Sequence, residues 1–169
     1  MSGIVGMGGT RAGTVSEQFE ALHCSCHLSS DLSINNGSGW YLPDANQVEA
    51  THDPNGWWDD TNRRILPTKR GIYYIYGHSY LGNCESGYLF GHLFNYVGIQ
   101  GTFNMHTFAY SSLTNDCFAH SHHVLLFDGV DDYISAPKYH YSHGSTARDV
   151  VAGINNTNFG ITYLGERFV

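Results

Sequence analysis

The run His120-Ser121-His122-His123 is the densest cluster of metal-ligating side chains in the sequence. On a strand, alternation sends His120 and His122 to one side and His123 to the other. Two imidazoles at that spacing are two ligands of a possible zinc site, and a symmetry axis could supply further copies. No carboxylate or cysteine stands where it would complete the set. The pair is therefore expected as exposed or interface histidines, and no metal or other cofactor is expected. His140 with His143, and His23 with His27, are weaker pairs that need no function.

Templates for catalysis fail one by one. Gly77-His78-Ser79-Tyr80-Leu81 lacks the final glycine of a nucleophile elbow. Neither a zinc-protease H-E-x-x-H nor a phosphate-binding G-x-x-x-x-G-K-[ST] occurs. Asp128, Asp131 and Asp132 have the wrong spacing for a calcium loop. Asp59-Asp60 could pair as acid and base, but beside Arg63 and Arg64 they are expected as turn residues. Catalytic residues: none expected. A hydrolase site built from dispersed His and Asp is a third, minor reading.

Four cysteines occur, Cys24, Cys26, Cys84 and Cys117. Cys24-Ser25-Cys26 lacks the two-residue spacer of zinc and redox motifs. In Leu22 to Leu28, alternation puts Leu22, Cys24, Cys26 and Leu28 on one face, and His23, Ser25 and His27 on the other. The two cysteines are expected as small core residues, in a compartment that is reducing during folding.

The elements that must carry these residues are strands. The 169-residue chain is 14% aromatic and only 14% charged, with 20 glycines. Aromatics, Gly, Asn, Ser and Thr in such proportions favour strands and turns over helices. Strands are expected over 20–29, 46–51, 63–66, 72–81, 88–97, 102–111, 120–127, 132–141, 147–152 and 158–164. Turn signals such as Asp53-Pro54-Asn55-Gly56, Gly82-Asn83 and Asp128-Gly129 separate them. Strands of this length and spacing mean a sandwich or barrel. Residues 1–18 form a flexible Gly-rich arm, of which Met1 to Ser16 is small and weakly apolar. Residues 19–169 form one domain. The arm has neither the basic nor the apolar region of a secretory leader. No apolar run is long enough to span a membrane. A net charge of −7 and scattered Lys and Arg argue against nucleic acid.

The strand from Gly71 to Leu81 carries the first interaction signal. Tyr73 and Ile75 are its inward candidates, while Tyr74, Tyr76, His78 and Tyr80 share the other face. Tyrosine offers large contact area at low entropic cost, so these four are candidate residues of a subunit interface. Trp40, Tyr41, Trp57 and Trp58 are candidate aromatic contact residues on loops. They could stack on sugar rings, but plugging the ends of the sandwich or anchoring a subunit contact is the favoured expectation.

Four segments carry a family resemblance. Asn46 to Trp58, Arg64 to Tyr73, Leu125 to Ile134 and Thr157 to Gly165 fall in the order of the motifs of jelly-roll domains of the tumour-necrosis-factor and complement-globular-head type. The second resembles "x-I-x-I-P-x-x-G-x-Y", and the third resembles "Y-L-x-x-G-D-x-V", with Asp132 at the Asp position. Asp131 replaces a glycine common in the family, and Pro137 interrupts the following strand, where an edge or bulge is expected. The chain is most similar to relatives among tailed-phage structural proteins. The resemblance implies an all-β jelly-roll sandwich, a homotrimer packed around a three-fold axis through aromatic faces. With no catalytic template, it implies a capsid decoration (cement) protein that binds the major capsid protein on the outer surface of the virion. The alternative expectation is a phage fibre or tail-tip module that binds host glycan through the Trp and Tyr loops.

Overall fold

The computed structural model describes residues 22–35, 39–84, 86–110, 115–142 and 147–166. The arm over residues 1–18 and His143 lie outside the described residues.

Two antiparallel sheets face each other. The strands are β1 (His23–Leu28), β2 (Leu32–Ile34), β3 (Val48–His52), β4 (Trp58–Asp59), β5 (Arg64–Ile65), β6 (Gly71–Cys84), β7 (Leu89–Gly98), β8 (Gly101–Tyr110), β9 (Asn115–Phe127), β10 (Tyr133–Ser135), β11 (Lys138–Tyr141), β12 (Arg148–Val150) and β13 (Asn158–Gly165). Among the described residues the one helical piece is a 3-10 turn at Ala45–Gln47. In the first sheet, β6 is central. β9 lines one side of it along its whole length. The other side pairs with β13 over Ile72–His78 and with β12 at Leu81. From there β13 leads to β1 and β3, and β12 to β2. In the second sheet, β7 pairs with β8 on one side and with β11 and β10 on the other, and β10 continues to β5 and β4.

Alternation makes these strands two-faced. Along β6 the inward positions Tyr73, Ile75, Ser79 and Leu81 are buried and the intervening ones are half-buried. They meet Phe90, Phe94 and Tyr96 of β7, with Phe127 and Phe159 closing the core. Edge-on ring pairs meet at Phe127, Tyr73 of the same sheet at 5.1 Å and Tyr96 of the facing sheet at 5.3 Å. Each such ring contributes about 1.5–3 kcal/mol when fully buried. Cys24 and Cys26 are in this core, as β1 alternation predicts, and Cys84 and Cys117 are buried with them as free thiols.

The expected single strand over 132–141 is two. Pro137 has no N–H to give to the ladder, and the preceding Ala136 donates its N–H to the Arg63 carbonyl at 2.6 Å. β10 ends there and β11 begins beyond it on the same partner, β7. Asp132 is 4% exposed and is hydrogen-bonded through Oδ2. It accepts from the backbone N–H of Asp128 at 2.8 Å and of Ile99 at 3.1 Å, tying the β9–β10 turn to the β7–β8 turn.

Candidate functional site

The register of β6 with β9 builds the site. It sets Tyr74 opposite Val124, Tyr76 opposite His122, His78 opposite His120 and Tyr80 opposite Phe118. All eight point away from the core, because the small residues Cys117, Ala119 and Ser121 take the inward positions of β9. Rings then touch across strands. Phe118 stacks on Tyr80 at 4.8 Å and on His78 at 5.7 Å, and His78 meets His120 at 4.4 Å. A second run goes from His122 through Tyr74 and Tyr76 to His23 and His52, so it reaches from β9 to β3. Gly160 of β13 makes that run possible. A Cβ there would lie 2.6 Å from the Tyr76 hydroxyl and would also strike the Cys24 carbonyl.

Hydrogen bonds fix the polar edges of the rings. The Tyr74 hydroxyl meets His122 Nδ1 at 2.5 Å. His23 Nδ1 meets the Thr162 hydroxyl at 2.7 Å. His78 Nδ1 and His120 Nδ1 are 3.0 Å apart, so one donates and the other accepts. Burial, and then the neighbouring His120, hold the His78 pKa below the usual histidine range. Burial and then His52 do the same to His23. Burial lifts the Tyr76 phenol to about 12. At neutral pH the His23 and His78 rings and the Tyr76 phenol therefore favour their uncharged forms.

Apolar surface continues from these rings. Phe118 is 47% and Val124 60% exposed. Beyond Val124 an open groove of about 350 Å³ is lined by Ile72, Ile99, Gln100, Val124, Leu125 and Leu126.

A separate aromatic cluster lies on the outward face of the second sheet. There His140, Gly91 and Phe108 are aligned across β11, β7 and β8. Gly91 leaves room for the Phe108 ring, which a Cβ would strike. Trp40 contacts His106 and His140, each at 5.3 Å, and Phe108 at 5.8 Å.

The residues expected from the sequence are distributed as follows. Tyr74, Tyr76, His78 and Tyr80 share one face. His120 and His122 are exposed on it and His123 is on the other side of the strand, but His120 meets His78 and His122 meets Tyr74 instead of each other. Among the described residues, no group of three or more His, Cys, Asp or Glu is arranged to hold a metal ion. Trp57 takes the plugging position favoured above and is buried, not an exposed loop contact. It is 2% exposed, edge-on to Tyr73, with its indole N–H donating to Thr68 at 3.1 Å. It plugs the sandwich and cannot touch a ligand. Trp58 and Tyr41 are half-buried, with Trp58 against Phe159 and Tyr41 held by backbone bonds to Tyr139. Only Trp40 joins an outward cluster. Asp59 ends β4 and braces the turn that follows, accepting from Asn62 and paired with Arg64 at 3.0 Å.

Sequence reading did not gather Phe118, Val124 and His23 onto the β6 face. Alternation of Cys117, Ala119 and Ser121 with Phe118, His120 and His122 was the available signal. The long-range register was not available from the sequence.

No protein-family model and no curated protein matches the sequence. Solved structures do match. Murine APRIL at pH 5.0 superposes with a TM-score of 0.57 at 14% identity, covering 84% of this chain and 99% of that one. Eiger TNF from S. frugiperda gives 0.58 at 11% identity, covering 88% and 95%. The globular domain of zebrafish complement 1qA protein gives 0.55 at 11% identity, covering 86% and 99%. The fold is a jelly roll of the tumour-necrosis-factor and complement-globular-head type. Within this jelly roll, the histidine-rich face is the outer side of the sheet centred on β6, and the Trp40 cluster is the outer side of the other.

Proposed function

We propose that the chain is a structural, non-enzymatic protein that self-associates as a homotrimer and decorates a phage capsid as a cement protein, bound to the major capsid protein on the outer virion surface. The observation that carries the self-association is the β6–β9 face, a continuous surface of Tyr, Phe, His and exposed Val124 that borders an apolar groove. A monomer would leave it in water. The adjoining β8 edge offers exposed Phe103, at 37%, and the turn before it exposes Ile99, at 51%, so one chain carries both an apolar edge and an apolar face. Edge-on-face contacts are head-to-tail, and such contacts close into rings when the rotation allows. The virion assignment rests on the resemblance drawn from the sequence, the failed catalytic templates and the low charge. A trimer on a shell gains avidity from several modest contacts at once.

Light scattering, alone and with purified empty capsids, tests both parts. A mass of three chains that co-sediments with capsids supports the reading. A monomer that ignores capsids overturns it. Removal of residues 1–16 is expected to leave the trimer intact and to weaken capsid attachment.

One observation favours a second reading, a fibre or tail-tip module that binds glycan. Trp40, His106, Phe108 and His140 form an outward aromatic platform of the sort on which sugar rings stack. A glycan array with hits that Trp40→Ala abolishes supports it. No hits would remove it.

A further inference from the structure

We propose that the β6–β9 face is an acid-sensitive contact between copies of this chain, closed while its histidines are neutral and opened when they are protonated. This rests on the reading of that face as the contact between copies, and adds what controls it.

Six of the 11 histidines of the chain occupy outward positions of this one sheet. His23 and His27 are on β1, His52 on β3, His78 on β6, and His120 and His122 on β9. Histidine is the side chain whose ordinary titration falls between pH 5 and 8. Protonation would therefore load one surface with positive charge.

Little on the face would neutralise that charge. Its outward carboxylates are Glu49 on β3, directly opposite His27, and Asp116 on β9 and Asp149 on β12, which are exposed and toward the ends of the sheet. Asp116 is already engaged with the Tyr80 hydroxyl. β13 contributes Asn158, Gly160 and Thr162, which do not titrate. Tyrosines stay neutral in acid. Arg148 on β12 takes the same side as Val150, away from this face, and donates to the Asn83 carbonyl. Beneath the face, His92 and His123 from the core side are two more bases and no acid.

The His78–His120 pair is the most sensitive element. Its Nδ1–Nδ1 approach of 3.0 Å needs one nitrogen without a proton. If both rings are imidazolium, two N–H groups point at each other and the contact cannot persist. Burial under a second copy removes water from these charges and so sharpens the penalty. Burial by the chain itself already disfavours the charged form of His78 and of His23.

The test is light scattering of the full chain from pH 8 to 5 at fixed concentration, with near-ultraviolet circular dichroism on the same samples. The expected result is an assembly near pH 7.5 that falls to monomers between about pH 6.5 and 5, with the spectrum unchanged. H78Q/H120Q is expected to remain assembled to a pH lower by about one unit. H120R, with a permanent charge, is expected to be monomeric at pH 7.5 with a native spectrum. A monomer at pH 7.5 in the unmodified chain overturns the contact itself. An assembly that persists to pH 5, one that dissociates only as the spectrum collapses, or a midpoint unmoved in both variants overturns the histidine control alone.

Discussion

His92 of β7 is buried between two serine hydroxyls, Ser79 on β6 at 2.8 Å from Nδ1 and Ser121 on β9 at 2.7 Å from Nε2. Hydroxyls could accept from both nitrogens, so the hydrogen bonds do not forbid a charged ring. Burial does, and with the nearby His120, His123 and His78 it lowers the pKa to about 3. In the unfolded chain the ring titrates near 6.5, so below that pH the unfolded state takes up a proton that the native state refuses. His92 therefore contributes stability that is complete above about pH 6.5 and is lost progressively toward about pH 3, at about 1.4 kcal/mol per pH unit. Urea unfolding at pH 7.5, 5.5 and 4.5, at fixed chain concentration, should show that slope. H92F should flatten it while lowering stability at pH 7.5 by about 1–3 kcal/mol per hydroxyl left unpartnered. Nothing in the local sequence marks His92, since Leu89 to Gly98 is mostly apolar and its serine partners come from two other strands. Trp57 and Trp58 look alike in sequence, yet alternation puts the first in the core and leaves the second half-buried.

At the scale of elements, β6 was almost wholly legible. Tyr73 and Ile75 face in and Tyr74, Tyr76, His78 and Tyr80 face out, as a period of two requires. β2 and β4 were not: no strand was expected over 32–34 or 58–59. The pairing of β6 with β9 was also hidden. His78 and His120 are 42 residues apart, and only the closed sandwich sets their register. Gly160 shows how tightly that register constrains sequence. G160A would push a Cβ into the Tyr76 hydroxyl and the Cys24 carbonyl, one mobile and one not. The expected cost is about 1–3 kcal/mol, read as a lower urea midpoint, with a weakened assembly because Tyr76 loses its seat.

At the scale of the whole molecule, the two outward sheet faces are separable. V124K places a charge at the groove end of the β6–β9 face on a residue that is 60% exposed. It should yield a monomer by light scattering with an unchanged far-ultraviolet spectrum, and W40A should leave the mass untouched. Reversal of those outcomes would move the contact between copies to the Trp40 side. The four thiols carry another consequence. Cys24, Cys26, Cys84 and Cys117 are between 0% and 4% exposed, and burial raises the Cys117 pKa to about 11. A reagent that needs an accessible thiolate must wait until the wall above a cysteine opens. The rate at which label appears at each site is then a clock for the opening of that part of the sandwich, with one pair of clocks under β1 and the other where β6 meets β9.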